Sequence, residues 1–353
     1  MPSFRPHCLP MLIGSLPVAD HHEAVAMVLQ ATPQIPSWPQ LPVHPAEGMV
    51  PQFAPGMPGL RREDDRIYVD LAADDFESQL AAFYEEFLAV TTDTALLAGS
   101  RFALGEAVAG GFYALQEKVL ETAPVAVKGQ VTGPITFGTG LKDHLGRAVY
   151  YDPNARDAAV KLLAQKAVYQ IRTFAALNCP IIVFLDEPAL AGYGSSEMIS
   201  ISADEIAASL DEINDAIHNA GGLAGIHVCA NTDWGVILGT RVDIVNFDTY
   251  AYFDRFLLYG EQIQRFIARG GIIAWGLVPT GSAEALAAAT VDSLVQRWKE
   301  QGDALVALGV DRERLYAQSL ITPSCGAGSL NLAQAQRVLA LTRDVSARLR
   351  EGR

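Results

Sequence analysis

Positive charge is scarce in this sequence. Lysine and arginine number 26 against 40 aspartates and glutamates, for a formal net charge of −14. No Lys/Arg run breaks that balance, and a surface that neutralises phosphates needs clustered cations, so nucleic acid is not expected as a partner. A long apolar run is missing too. No stretch reaches the roughly 18 uninterrupted apolar residues of a membrane span, and no membrane partner is expected. The partly apolar N-terminus, MPSFRPHCLPMLIGSLP, is interrupted by prolines and lacks the apolar core of a signal peptide. The expected location is therefore the cytoplasm. Cysteine occurs only as Cys8, Cys179, Cys229 and Cys325, too few for a disulfide framework in a chain of this size. What remains is a set of thiols, some of them available to a metal. Also absent is a Gly-x-Gly-x-x-Gly turn after the first strand, which weighs against an open dinucleotide-binding sheet.

Half of the 353 residues are hydrophobic and 19% are charged, which suits a large core and argues against disorder. Short β-rich runs alternate with amphipathic helices. The strand candidates are 9–14, a weak one at 38–43, then 125–131, 181–185, 223–228, 242–247, 272–276 and 315–320. Apolar residues at helical spacing mark helices over 157–178, 203–219, 282–308 and 332–349. Ser282 suits an N-cap, Asp204 an early acidic position, and Gly221-Gly222 a helix stop. Strand–helix alternation repeated about eight times predicts an α/β fold, a single-domain (β/α)8 TIM barrel over residues 1–353. The Pro/Gly-rich segment 33–75, with a hairpin near 67–71, is expected as a long loop insertion beside the second strand.

The chemistry concentrates at the C-terminal ends of these strands. In Gly225-Ile226-His227-Val228-Cys229, residues two apart share a face, so His227 and Cys229 point the same way. Imidazole and thiolate are zinc ligands, although an isolated His-x-Cys also suits a buried cysteine beside a hydrogen-bonded histidine. Thr322-Pro323-Ser324-Cys325-Gly326-Ala327-Gly328 places a second cysteine just after the last strand candidate, at the same mouth of a barrel. Three protein ligands with an exchangeable position form the catalytic zinc pattern. Asp248 is either a fourth ligand or the cap of the next helix. Asp186-Glu187-Pro188 ends an apolar strand, and its acids either contact a cationic substrate group or start a helix. Gln130 and Thr132 end another strand, and Gly14-Ser15 ends the first. These groups offer an amide, hydroxyls and backbone N–H groups, or mark turns that simply need glycine. Cys8 and Cys179 have no metal spacing, and His21-His22 reads as a surface pair opening a helix.

Together these motifs resemble the C-terminal catalytic barrel of cobalamin-independent methionine synthases, within the uroporphyrinogen-decarboxylase-like superfamily of methyltransferases. The similarity covers most of the chain and is best at 12–17, 128–134, 186–190, 226–229 and 323–326. It implies that His227, Cys229 and Cys325 are zinc ligands and that Asp248 stands where the family has a glutamate ligand. It further implies that Ile13 and Ser15 hold a homocysteine carboxylate, that Asp186 holds its amino group, and that Glu47 is a further substrate contact. Coordination to zinc would release the substrate thiol's proton to solvent, and the resulting thiolate would then attack a methyl group, with Asp248 leaving the metal as the thiol enters. Two departures bear on the methyl donor. The family's folate-binding stretch is not evident, and its catalytic histidine is replaced within Gly276-Leu277-Val278-Pro279-Thr280. Methylfolate needs a proton on its leaving nitrogen, whereas a methyl-corrinoid does not. The expected donor is therefore a methyl-corrinoid, carried by a partner protein. Alternatives are methyl transfer to another thiol such as coenzyme M, a non-catalytic corrinoid or thiol carrier, and a structural zinc site in an enzyme of different chemistry. A uroporphyrinogen-decarboxylase-like activity is a further alternative. It is a weaker match, because those enzymes are metal-free and their arginine-rich N-terminal motif is absent here.

Overall fold

Nine strands form among the described residues: β1 (Leu9–Pro10), β2 (Leu60–Glu63), β3 (Arg66–Val69), β4 (Val127–Thr132), β5 (Ile181–Asp186), β6 (Leu223–Val228), β7 (Ile244–Phe247), β8 (Ile272–Val278) and β9 (Ser319–Pro323). The computed structural model describes residues 4–64, 66–194, 198 and 200–352. Seven strands make one curled parallel sheet in the order β1-β9-β8-β7-β6-β5-β4, while β2 and β3 form a separate antiparallel hairpin. Parallel neighbours need crossover connections, and helices supply them. Among the described residues, no helix is long and apolar enough to cross a membrane.

The two edges of the sheet, β1 and β4, are bridged by residues 34–40. Gln34 O accepts from Val125 and Ala126 N, and Pro36 O accepts from Lys128 N. At the other end Leu16 N donates to Gln40 O, and Gln40 N to Gly14 O. This segment occupies the place of the expected strand 38–43 yet is not a continuous strand. Pro33, Pro36 and Pro39 remove every third donor, so only isolated parallel bridges form, Ser37 with Lys128 and Ser15 with Gln40.

Segment 33–75 is correspondingly not a long loop. Ile35, Trp38, Leu41 and Phe53 are fully buried in it, and it carries a helix at Met49–Phe53 besides the β2–β3 hairpin. Helices at Phe76–Thr92 and Gly110–Val119, which the sequence did not signal clearly, complete this half. The first strand, expected over 9–14, is only Leu9–Pro10; the later expectations hold with shifts of a few residues. The helix Ala203–Asn219 has the expected bounds, with a Ser202–Glu205 capping box. Ser282 caps its helix as expected. However, 282–308 divides into Ala283–Ala288 and Val291–Ala307, because Thr290 starts a new capping box. The last strand begins at Ser319, since Leu315 belongs to the helix Arg312–Ala317.

Alternation along the strands sorts side chains onto two faces. Val183, Leu185, Ile273, Trp275 and Ile321 join the core under the helices. Leu9, Met11, Ile182, Phe184, Ile244, Ile272, Ala274 and Leu320 form a second apolar cluster on the opposite, concave face, near the strand starts. The same face carries buried polar residues: Lys128 and Gln130 on β4, opposite Ile182 and Phe184 with the lysine reaching up to Gln130 Oε1 and Ile13 O, then Asp186, His227, Asn246 and Thr322 further along. The strands therefore run from an apolar plug to a polar rim.

Candidate metal centre

His227 is the penultimate residue of β6, and Cys229 follows the strand by one residue. Register places Asp186 beside His227 on one side and Asn246 on the other. Cys325 comes from the turn after β9. The ligand atoms of His227, Cys229 and Cys325 all lie within 4.8 Å of one another, the only such His/Cys/Asp/Glu group of three or more among the described residues. Cys229 Sγ is 3.2 Å from His227 Nε2 and 3.3 Å from Cys325 Sγ. None of the cysteines is in a disulfide. His227 is buried, whereas Cys229 and Cys325 are only partly buried.

The electrostatics follow from this crowding. The hydrogen bond between the two cysteines lets Cys325 lose its proton easily and holds the other proton on Cys229; burial opposes the first effect and adds to the second. For His227, burial disfavours the charged ring. The Cys325 sulfur, the Asp186 carboxylate and Asn246 outweigh it and raise the pKa overall. A soft dithiolate–imidazole set, one thiol already disposed to ionise, fits a zinc ion by donor chemistry.

The turn that presents Cys325 is held from the N-terminal end of the chain. Gly328 N donates to Ser15 Oγ at 3.2 Å, and Ala327 N donates to Ser15 O at 2.9 Å. A β-carbon at Gly326 would lie 2.1 Å from Ser15 Oγ, so this close approach requires glycine. Ser15, expected to touch substrate, thus clamps a ligand-bearing turn.

Several other expected substrate contacts are taken up by the scaffold. Glu187 accepts from Ile135 N and Thr136 N, both at 2.8 Å, and from Thr136 Oγ1 at 2.6 Å. It caps the helix Pro134–Gly140, and burial pushes its pKa up to about 7 against those bonds. Gln130 donates to Trp38 O and accepts from Lys128 Nζ. Thr132 Oγ1 donates to Met49 O at 2.7 Å. Glu47 is buried, pairs with His21 Nε2 and accepts from Leu41 N. His21 is therefore tied to the segment after the bridge instead of sitting free on the surface. Ile13 offers its carbonyl to Lys128 Nζ. Gly14 lies where a β-carbon would be 3.0 Å from Gln40 Oε1, in the crowded junction of bridge and β4. A polar residue at a strand end is visible in a sequence; the neighbours that consume its bonding capacity are not.

Asp248 takes the capping position that the sequence offered as one of its two roles. It is the N-cap of the helix Thr249–Phe256 and accepts from Ala251 N at 2.9 Å. It is not in the three-residue donor group. Its carboxyl is raised by burial first, and the nearby Cys325 sulfur adds to that.

Asp186 differs from the rest. It is buried, and its Oδ1 has no hydrogen-bond partner. Burial raises its pKa, while Lys128 and His227 act in the opposite direction. Lys128 was not anticipated. It is fully buried, donates to Ile13 O and Gln130 Oε1, and stands 5.0 Å over the Phe184 ring. Burial depresses its pKa to about 8, with Asp186 resisting. Asn246 and Thr322 were also missed: Asn246 Oδ1 meets His227 Nδ1, and its Nδ2 donates to Ala274 O and Thr322 Oγ1, each at 2.8 Å.

Thr280 follows β8 by two residues. It is buried, and both its N and Oγ1 bond Ser324 Oγ. No titratable side chain is offered at that position.

No family model matches the chain, and no curated protein matches it. Among solved structures, it is similar to one of the tandem GH20 catalytic modules of the pneumococcal exo-β-D-N-acetylglucosaminidase StrH. The identity is 9%, over 96% of this chain and 85% of the other, with a TM-score of 0.45. It is also similar to an engineered protein, at 16% identity over 62% of each chain and a TM-score of 0.27. A third similarity is to a modular endo-β-1,4-mannanase of glycoside hydrolase family 26 from Cellulomonas fimi, at 16% identity over 62% of this chain and 63% of the other, with a TM-score of 0.23. At these scores the likenesses carry no argument about fold or activity.

Proposed function

We propose that this chain is a zinc-dependent methyltransferase that methylates a small thiol, homocysteine being the best fit, on a (β/α)8 barrel related to the catalytic barrel of cobalamin-independent methionine synthases. In this reading residues 34–40 stand in for the second strand of the barrel. The observation that carries it is the convergence of His227 Nε2 and the Cys229 and Cys325 sulfurs within 4.8 Å, at the polar ends of parallel strands. A bound zinc ion would supply Lewis acidity that keeps a substrate thiol deprotonated at neutral pH.

The chain's own residues do the rest. Asp186 has a carboxylate oxygen without a partner beside the donor group, and an ammonium group of the substrate would satisfy it. That pairing selects an amino thiol over a sulfonate thiol such as coenzyme M. Lys128 lies behind Asp186 and offsets part of its burial cost. Ser15 holds the Cys325 turn in place. The two cysteines are partly buried, and a thiol and its methyl donor held together beside them would meet with a lowered entropic barrier. Thr280 supplies no general acid, which favours a donor that departs without a proton, a methyl-corrinoid presented by a partner protein, over methylfolate.

The test is a methyl-transfer assay with zinc-loaded protein and homocysteine, comparing methylcobalamin or a methylated corrinoid protein with methylfolate. Methionine formed from the corrinoid donor only is the expected outcome. Turnover with methylfolate alone would overturn the donor assignment. Failure of the protein to take up zinc would overturn the reading as a whole.

A further inference from the structure

The hydrogen bonds around Asn246 leave a single consistent arrangement of protons. Ala274 O can only accept, so the Asn246 side-chain nitrogen must face it, and the same NH2 group reaches Thr322 Oγ1. Oδ1 is then left for His227, and an amide oxygen can only accept. His227 Nδ1 must carry its hydrogen there, and the lone pair of the neutral ring falls on Nε2. That atom is the one facing Cys229 Sγ at 3.2 Å.

We infer that Asn246 is a positioning residue that fixes His227 in the Nδ1–H tautomer and aims Nε2 at the two cysteine sulfurs. The geometry spans four strands. His227 is on β6, Asn246 on β7, Ala274 on β8 and Thr322 on β9, and Cys325 follows Thr322 by three residues. The bonds from Asn246 therefore tie the histidine donor to the strand that delivers a cysteine donor. All four residues are buried, so water does not compete for these bonds. Outer-shell partners of this kind set both the tautomer and the orientation of a ligating histidine.

The inference rests on the metal-site reading, but its first test does not. In metal-free protein at alkaline pH, where the ring carries one proton, nitrogen-15 NMR of His227 should report hydrogen on Nδ1. Asn246→Leu should shift the ring toward the Nε2–H form, and Asn246→Asp, which keeps an acceptor, should retain the Nδ1–H form. A wild-type His227 protonated on Nε2, or a tautomer unchanged by Asn246→Leu, would overturn the inference whatever the metal does. In zinc titrations against a chelating dye, Asn246→Leu should lower affinity by roughly 10–100-fold. Affinity within twofold of wild type would also overturn it. Should Asn246→Leu not fold, Asn246→Ala removes the acceptor without adding bulk, and the same shift toward the Nε2–H form is expected; an unchanged Nδ1–H population would count against the inference. If the wild type binds neither zinc nor cobalt(II), the proposed function fails while the NMR result still judges Asn246.

Discussion

The lower and upper halves of the concave face are built from the same strands under opposite rules. Below, Leu9, Met11, Ile182, Phe184, Ile244, Ile272, Ala274 and Leu320 fill the interior with hydrocarbon. Above, Lys128, Gln130, Asp186, His227, Asn246 and Thr322 crowd charges and amides into a space just as hidden from water. The upper half is affordable only because nearly every group in it has a partner. The lower half should govern stability, and the upper half ligand binding.

The largest expected effect tests the upper half. Cys229→Ser should weaken zinc binding by at least about a thousandfold, because roughly 10–16 kcal/mol of site binding is shared among three or four ligands. Metal content after dialysis and a dye competition would show it, and methyl transfer should vanish in parallel. Stoichiometric zinc in the variant would break the division between the halves. Next comes the lower half. Phe184→Ala removes a fully buried ring and should cost about 3–5 kcal/mol in urea unfolding. Zinc bound per folded molecule should stay the same, and a parallel fall in metal affinity would show that the halves are coupled.

A third site shows what an upper-half group looks like without its network. Lys166, on the helix Pro153–Phe174, is as buried as Lys128, but among the described residues its ammonium bonds only Ala103 O, at 3.3 Å. Burial alone lowers its pKa to about 7 from the ordinary 10.5. Between those values the unfolded chain binds a proton that the folded chain does not, so stability rises with pH through this window and is lowest at and below about pH 7. Lys166→Met should therefore stabilise the protein by about 1–4 kcal/mol near pH 7, the gain shrinking to nothing above about pH 10.5. Thermal unfolding of the two proteins across that pH range would check it; a pH-independent difference would mean packing, not charge, is responsible. The smallest effect lies outside both halves. Ser282→Ala removes the cap bond to Ala285 N and should cost about 1 kcal/mol, with zinc affinity untouched.

The comparison also explains what was legible in the sequence. His227 and Cys229 declared themselves because two-residue spacing in a strand puts both on one face, and Cys325 because a glycine-rich turn closes the last strand. Asn246, Thr322 and Lys128 stayed hidden because their roles depend on which residue lies opposite in the neighbouring strand, and register is a tertiary property. The same blindness hides the scaffold partners of Glu47, Gln130, Thr132 and Glu187, which the sequence offered as substrate contacts. Glu47 pairs with His21, Gln130 bonds Trp38 O, Thr132 bonds Met49 O and Glu187 bonds Ile135 N, and each of these partners lies 26 or more residues away in sequence. The strands from β4 to β9 were readable as apolar runs. The closing segment 34–40 was not, since its prolines suppress the strand signal while its backbone carbonyls still take hydrogen bonds from β4.

The clamp on the Cys325 turn has a consequence for the order of events during synthesis. Ser15 and Gly328, 313 residues apart, must meet before that turn is set, and β1 pairs with β9. A nascent chain still short of residue 325 carries at most two of the three donors, and its first strand waits at an open edge. The donor triad is thus completed only after residue 325 has been made and β9 has joined β1, a pairing of very high sequence separation and therefore slow to form.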